Sequence, residues 1–372
     1  MRRLDRNLLS LGLFGMNCSG GLGATRIPER WVASWDNNLA LARMADAAGL
    51  DFLLPLGRWK GYGGETNHNG SSFETLTWAA GLLAATRAIM AFGTVHVTAI
   101  NPVVAAKQMV TADHIGRGRF GLNVVCGWYQ DEFDMLGVDL GTHGDRYVLG
   151  QEWLDVVTRC WQAAEPFDYD GRFFTVKRTV IEPKPWAGGR PMLVCAGASG
   201  EGKAFAAKNA DMLFSAVRGD LDEVPAEVAA LKEAAAAHGR EVGVFTNVYV
   251  VCRPTTREAE EYHRWYADEM ADTEAVETMV VERGLDRPGT PEPVRRRFRL
   301  RAGGGNGALP IVGDPDEVAA TMKRLADSGV SALAMGFANY LAHFPYFRDE
   351  VLPRLERMGL RAPAIPKDSV AE

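Results

Sequence analysis

At 372 residues, with 47% hydrophobic and 24% charged side chains, the chain has the composition of a globular protein with a large core. A formal net charge of −6 lends no support to a nucleic-acid-binding surface, and no apolar run is long enough to cross a membrane. Five cysteines, at positions 18, 126, 160, 195 and 252, are scattered, odd in number and lack metal-ligand spacing, which argues for reduced thiols in a cytoplasmic protein.

The length suits a single α/β domain, a (β/α)8 TIM barrel with insertions over 1–360, followed by a tail over 361–372. Residues 8–14 read as a first strand and 17–23 as a small-residue loop. Helical periodicity over 31–48 stops at Gly49, and 51–55 is a second strand. The polar, glycine-rich loop 57–72 then carries Arg58, Lys60 and His68. A helix over 73–86, a strand over 89–96 and a helix opened by Pro102 continue the alternation. Strand, helix, strand, helix at this spacing predicts a parallel sheet with right-handed crossovers.

The stretch 111–128 is TADHIGRGRFGLNVVCGW: a helix end, a glycine turn, and a buried strand over 119–125. A polar residue, Asn123, interrupts its apolar run, and Gly127 and Trp128 mark where the strand opens into a loop. Ligands bind at the carboxyl ends of such strands, where an amide beside an aromatic suits a flat, polar-edged cofactor; a satisfied core amide is the competing reading. Further on, 129–145 reads as a loop, 146–164 as a long helix and 171–180 as an extended excursion. Strands follow at 191–196, 211–215, 242–253 and 332–337, with helices at 200–209, 221–238, 256–277 and 346–358. The charged, glycine-rich segment 281–309 has the composition of a lid or a disordered loop.

The residues offer no self-sufficient catalyst. Seven histidines stand isolated, without HExxH or a His/Asp cluster, so no metal site is expected. There is no GxSxG elbow and no GxGxxG after a strand. Gly197-Ala198-Ser199-Gly200 follows a strand and opens a helix, so its amides and hydroxyl suit an anion or merely a cap. Arg146 and Tyr147 lie at a helix start, where a cation is mildly unfavourable; this argues that something negative sits nearby. Cys126 reads as an inert small filler, because nothing near it in sequence would lower its pKa.

D-x-x-x-x-G-R-x-x-x-N-x-x-x-G-W at 113–128 resembles the strand-4 signature of the bacterial-luciferase-like flavin monooxygenases. MNCSGGL at 16–22, GYGGE at 61–65, DRY at 145–147 and GDPDEVA at 313–319 extend the resemblance to roughly 12–355. Within the family these motifs are nearest those of pyrimidine (uracil) and dimethylsulfone monooxygenases. The resemblance implies a two-component enzyme that uses FMN, delivered as FMNH2 by a separate NAD(P)H:flavin reductase, together with O2. It places Asn123 against the flavin, with Thr94, Leu54, Val124 and Trp128 around the oxygen site, and Thr94 with Asn123 favours oxygen addition at N5 over C4a. FMN contacts are implied at Gly57, Arg58, Glu132, Arg146, Tyr147, Ser199 and Gly200. Gly57 and Cys126 depart from the family pattern, which has a bulkier aliphatic residue and Thr or Ser. The substrate is a small organic molecule: an N-heterocycle such as a pyrimidine, or a sulfone or sulfonate. The reductase need only exchange flavin by diffusion, and a homo-oligomer, dimer or tetramer, is ordinary in the family. The alternatives are an F420-dependent oxidoreductase on the same barrel and a non-catalytic flavin-binding barrel.

Overall fold

The computed structural model describes residues 4, 6–139, 141–197, 199–215, 217 and 219–363. In chain order the elements are β1 (Ser10–Phe14), α1 (Trp35–Ala47), β2 (Phe52–Leu54), α2 (Thr75–Ala85), β3 (Met90–His96), α3 (Pro102–Ile115), β4 (Phe120–Val125), α4 (Gln130–Leu136) and α5 (His143–Gln162). The antiparallel pair β5 (Phe167–Asp170) and β6 (Thr175–Thr179) precedes β7 (Met192–Ala196), α6 (Gly200–Asn209), β8 (Met212–Phe214), α7 (Val224–Ala236) and β9 (Gly243–Cys252). The rest is α8 (Thr256–Arg264), a π-helical turn (Trp265–Glu269), α9 (Thr273–Glu282), α10 (Glu292–Gly305), β10 (Leu309–Gly313), α11 (Pro315–Asp327), β11 (Ala332–Gly336), α12 (Tyr340–Glu350) and α13 (Leu352–Arg357). All eight strands expected from the sequence are present as β1–β4, β7, β8, β9 and β11, and the fold class is the α/β (β/α)8 barrel. Among the described residues no helix is long and apolar enough to cross a membrane.

The chain divides into two compact units, one within 1–73, 215–230 and 244–372, the other 74–214 with 231–243. In the first, the parallel ladder runs β10-β9-β11-β1-β2. Within this unit the ten-residue β9 serves two neighbours: Phe245–Tyr249 pair with β11, and Val248–Cys252 pair with β10. Leu9 N donates to Leu360 O at 2.9 Å and Ala362 N to Asn7 Oδ1 at 2.9 Å, so the start of the expected tail is tied to β1. Residues 364–372 of that tail lie outside the described residues.

In the second unit the parallel ladder is β3-β4-β7-β8. Glu74 caps α2 by accepting from Leu76 N and Thr77 N, and Asn101 caps α3 ahead of Pro102. Between α3 and β4 the chain reverses through Arg117 (φ 51°) and Gly118 (φ 78°). Arg119 is buried here and structural: its guanidinium donates to Leu83 O, Thr86 O and Ile89 O at 2.8–3.0 Å, closing the end of α2. Thr94 pairs in register with Asn123, and Val95 with Val124. A Cβ on Gly93 would lie 2.4 Å from Leu76 Cδ2 of α2, so the face shared by Gly93, Val95 and Val124 lies under the helices. Thr94 and Asn123 take the opposite face.

Five points differ from these expectations or complete them. Within the expected loop 129–145, α4 forms and is ended by left-handed Gly137 (φ 66°). The segment 281–309 is not structureless, because 292–305 is helical with Arg301 to Gly305 buried. Its glycines are the reason: a Cβ on Gly304 or Gly305 would come within 2.2–2.7 Å of the Tyr249 ring. The single helix expected over 256–277 breaks at the π turn and restarts at α9, where Asp272 accepts from Ala275 N. The excursion over 171–180 is half of the β5–β6 hairpin, and β10 was not expected at all.

Candidate functional site

In the second unit Thr94 and Asn123, both expected at the oxygen site, meet. Asn123 Nδ2 donates to Thr94 Oγ1 at 3.2 Å, and Thr94 O accepts from Thr75 Oγ1 at 2.6 Å, which fixes the end of β3. Both side chains are buried. With its amide nitrogen committed to Thr94, Asn123 keeps a buried Oδ1 that has no hydrogen-bond partner. A buried amide oxygen left so costs on the order of 1–3 kcal/mol unless a ligand or a water meets it. Val124 does not join the pair, since it lies on the helix-facing side of β4. Trp128 is half-buried beyond the strand, with its ring 5.7 Å from that of Tyr129. Glu132 is buried in the first turn of α4.

A second cluster is centred on Ser199, the N-cap of α6. Its Oγ accepts from Gly202 N at 3.1 Å and lies 3.1 Å from His143 Nε2 and 3.3 Å from Tyr147 Oη. Arg146 Nη1 donates to Gly127 O and its Nη2 to His143 Nδ1, both at 2.9 Å, while its buried Nε has no partner. An arginine only donates, so His143 Nδ1 is the acceptor and Nε2 carries the proton. That hydrogen points toward Ser199 and toward Glu201, whose Oε2 is 3.2 Å away. The backbone closes only because two residues lack side chains: a Cβ on Gly197 would be 2.2 Å from the Gly202 carbonyl carbon, and one on Gly202 2.6 Å from Tyr147 Oη. At Gly200 a Cβ would meet open space, so packing does not require that glycine. Ala198, within the expected motif, lies outside the described residues. Arg146 and Tyr147 on one side and Ser199 on the other, two separate candidates in the sequence, thus lie in one cluster, and His143 is an addition to both. Only its spacing of three residues before Arg146, one helical turn, offered a signal.

Cys126 is buried against Gly150, and desolvation pushes its thiol up to about 12, in keeping with an inert filler.

In the first unit the loop after β2 is pinned from several sides. Asn17 Oδ1 accepts from Leu56 N and its Nδ2 donates to Leu56 O, each at 2.8 Å, just past buried Leu54 and before half-buried Gly57. Arg58 is buried, its guanidinium 4.4 Å over the Tyr62 ring and its Nη1 donating to Tyr62 Oη at 3.0 Å. Asp272 Oδ2 accepts from both Thr66 N and Thr66 Oγ1 at 2.7 Å. His68 stacks on Tyr62 at 6.0 Å, and neither ring nitrogen has a partner. Desolvation, then the nearby Arg58 charge, pushes its pKa down to about 3.

Residues 12–332 match the family described as luciferase-like monooxygenase, and the chain belongs to that family. It is 29% identical over 361 residues to the FMNH2-dependent dimethylsulfone monooxygenase of Pseudomonas fluorescens, covering 95% of this chain and 96% of that one. It is 30% identical over 368 residues to pyrimidine monooxygenase RutA of Enterobacter cloacae, covering 97% and 99%. Among solved structures, DmoA from Hyphomicrobium sulfonivorans matches with a TM-score of 0.85 at 20% identity, over 96% of this chain and 89% of that one.

Proposed function

We propose that the chain is the oxygenating component of a two-component flavin monooxygenase acting on a small organic substrate. FMN, supplied as FMNH2 by a separate NAD(P)H:flavin reductase, would bring the redox chemistry by reducing O2 for transfer of one oxygen atom to that substrate. The observation that carries this reading is the unpartnered Asn123 Oδ1 on the buried strand end beside Thr94. A reduced flavin ring offers N–H donors, and an amide oxygen held by Thr94 is a suitable acceptor for one of them. The Ser199 cluster supports it independently, with a capped helix start, a hydroxyl, an imidazole N–H and an arginine gathered where a phosphate monoester can be held. Thr75 and Thr94 fix the Asn123 amide in one orientation, and the buried strand ends keep water away from it. The two relatives name two substrate classes, a pyrimidine and a sulfone, and the assay tests both.

The protein is incubated with FMN, a generic flavin reductase, NADH and O2, and uracil, simple N-heterocycles, dimethylsulfone and short alkanesulfonates are screened by mass spectrometry. The expected product carries one added oxygen or is a ring-opened amide. Asn123→Ala should cut product per NADH consumed by about tenfold or more, as expected when a positioned polar contact to the reacting centre is lost. An unchanged yield in Asn123→Ala would remove Asn123 from the site. Absence of any product, together with tight F420 binding, would replace the reading by an F420-dependent oxidoreductase.

A further inference from the structure

Glu201 has no role in the site described so far, yet it touches the groups assigned to the phosphate. It is the second residue of α6, after the Ser199 cap and Gly200. Its Oε2 lies 3.2 Å from His143 Nε2, the ring nitrogen that carries the proton because Arg146 occupies Nδ1. Contact with its own backbone N–H is the largest cause holding this carboxyl below its usual pKa, so it is an anion at neutral pH. The imidazole N–H, beside the capping hydroxyl of Ser199, is therefore aimed at one negative group. Such a donor set suits a phosphate monoester equally well.

We propose that Glu201 is a built-in counter-anion, which holds the phosphate donors in place in the empty protein and is displaced when FMN binds. The inference rests on the reading of the Ser199 cluster as the phosphate site. The pair is weak enough to exchange: the His143 and Glu201 side chains are 46% and 57% exposed, and solvent-exposed pairs contribute little. Its donors are nonetheless kept oriented, since Arg146 fixes the imidazole and Gly202 N fixes the Ser199 hydroxyl. The buried Arg146 Nε, still without a partner, is a further donor that the carboxylate does not satisfy. Once a dianionic phosphate arrives, Glu201 becomes a like charge at the same helix end and works against retention. The consequence is a site tuned for release. A flavin that enters reduced and leaves oxidised in each cycle needs that property more than it needs tight binding.

The test is equilibrium binding, read by quenching of flavin fluorescence, with FMN and riboflavin titrated against the wild type, Glu201→Gln and Glu201→Ser. Riboflavin has the same ring and no phosphate. The expected result is that FMN binds more tightly than riboflavin to the wild type, that both variants tighten FMN by about threefold, and that riboflavin is unaffected, as removal of an exposed like charge predicts. If the wild type prefers FMN but both variants bind it as the wild type does, or more weakly, Glu201 is not a competing anion and the inference falls alone. If FMN and riboflavin bind the wild type equally, the phosphate site itself is misassigned, and the inference falls with it. Glu201→Ser keeps a small polar group in the first turn of α6 and guards against a helix-start defect in Glu201→Gln.

Discussion

Two histidines, one in each unit, follow strand ends and look alike in the sequence, yet the protein uses them in opposite ways. His68 is wholly buried in the loop after β2, stacked on Tyr62 beside the Arg58 guanidinium, and held neutral. His143 stands at the start of α5, 46% exposed, with both ring nitrogens engaged by Arg146, Ser199 and Glu201. The first belongs to a loop clamped by internal contacts, Asn17 on Leu56, Asp272 on Thr66, Asn69 on Ser19 and Gly21, although the ring nitrogens of His68 itself have no partner. The second belongs to a cluster whose contacts are polar, solvated and replaceable. One region is a preformed wall; the other is an exchangeable handle.

That contrast can be broken by mutation. Asp272→Ala should have the largest effect, removing two 2.7 Å contacts to Thr66 and the cap of α9. A loss of about 3 kcal/mol in urea unfolding is expected, and a loss below about 0.5 kcal/mol would show that the loop does not depend on this clamp. Arg146→Ala should weaken FMN binding by about tenfold, roughly 1.4 kcal/mol, while unfolding free energy stays within about 1 kcal/mol of wild type. A large stability loss with unaltered FMN affinity would make Arg146 a structural residue like Arg119. The smallest effect concerns acid. His68 has its folded pKa lowered to about 3 from an ordinary 6.5, so the unfolded chain binds the proton more readily over that window. Stability is therefore full above 6.5 and falls as the pH drops below it, down to about 3. Between pH 7 and 5.5 His68 should account for roughly 1 kcal/mol of the loss, which His68→Gln abolishes. An identical acid profile in that variant would mean that His68 is not buried as described.

The strands were readable as apolar runs, several with a glycine or proline at one boundary, and the pairing of Thr94 with Asn123 follows once β3 and β4 are parallel neighbours. Where the sequence misled, the deciding contact was distant or contrary to a local rule. Three glycines at 303–305 read as a loop, but they end a helix pressed against a tyrosine more than fifty residues earlier. The arginines of that run are engaged: Arg299 pairs with Glu277 and Glu292, Arg297 with Asp220, and Arg301 donates to Val217 O and Gly219 O. His143 was passed over because its partner Ser199 is 56 residues away. The resemblance puts Val124 at the oxygen site beside Asn123, whereas neighbours along a strand face opposite ways.

All five cysteines, at 18, 126, 160, 195 and 252, are buried and reduced. Maleimide reagents that act at the surface of the folded protein should therefore find no native thiol. A single cysteine introduced on α8, for instance at Arg257, whose side chain is 79% exposed, gives one addressable position without first building a cysteine-free background. Dye, spin label or electrode tether can be attached there while the buried thiols remain silent.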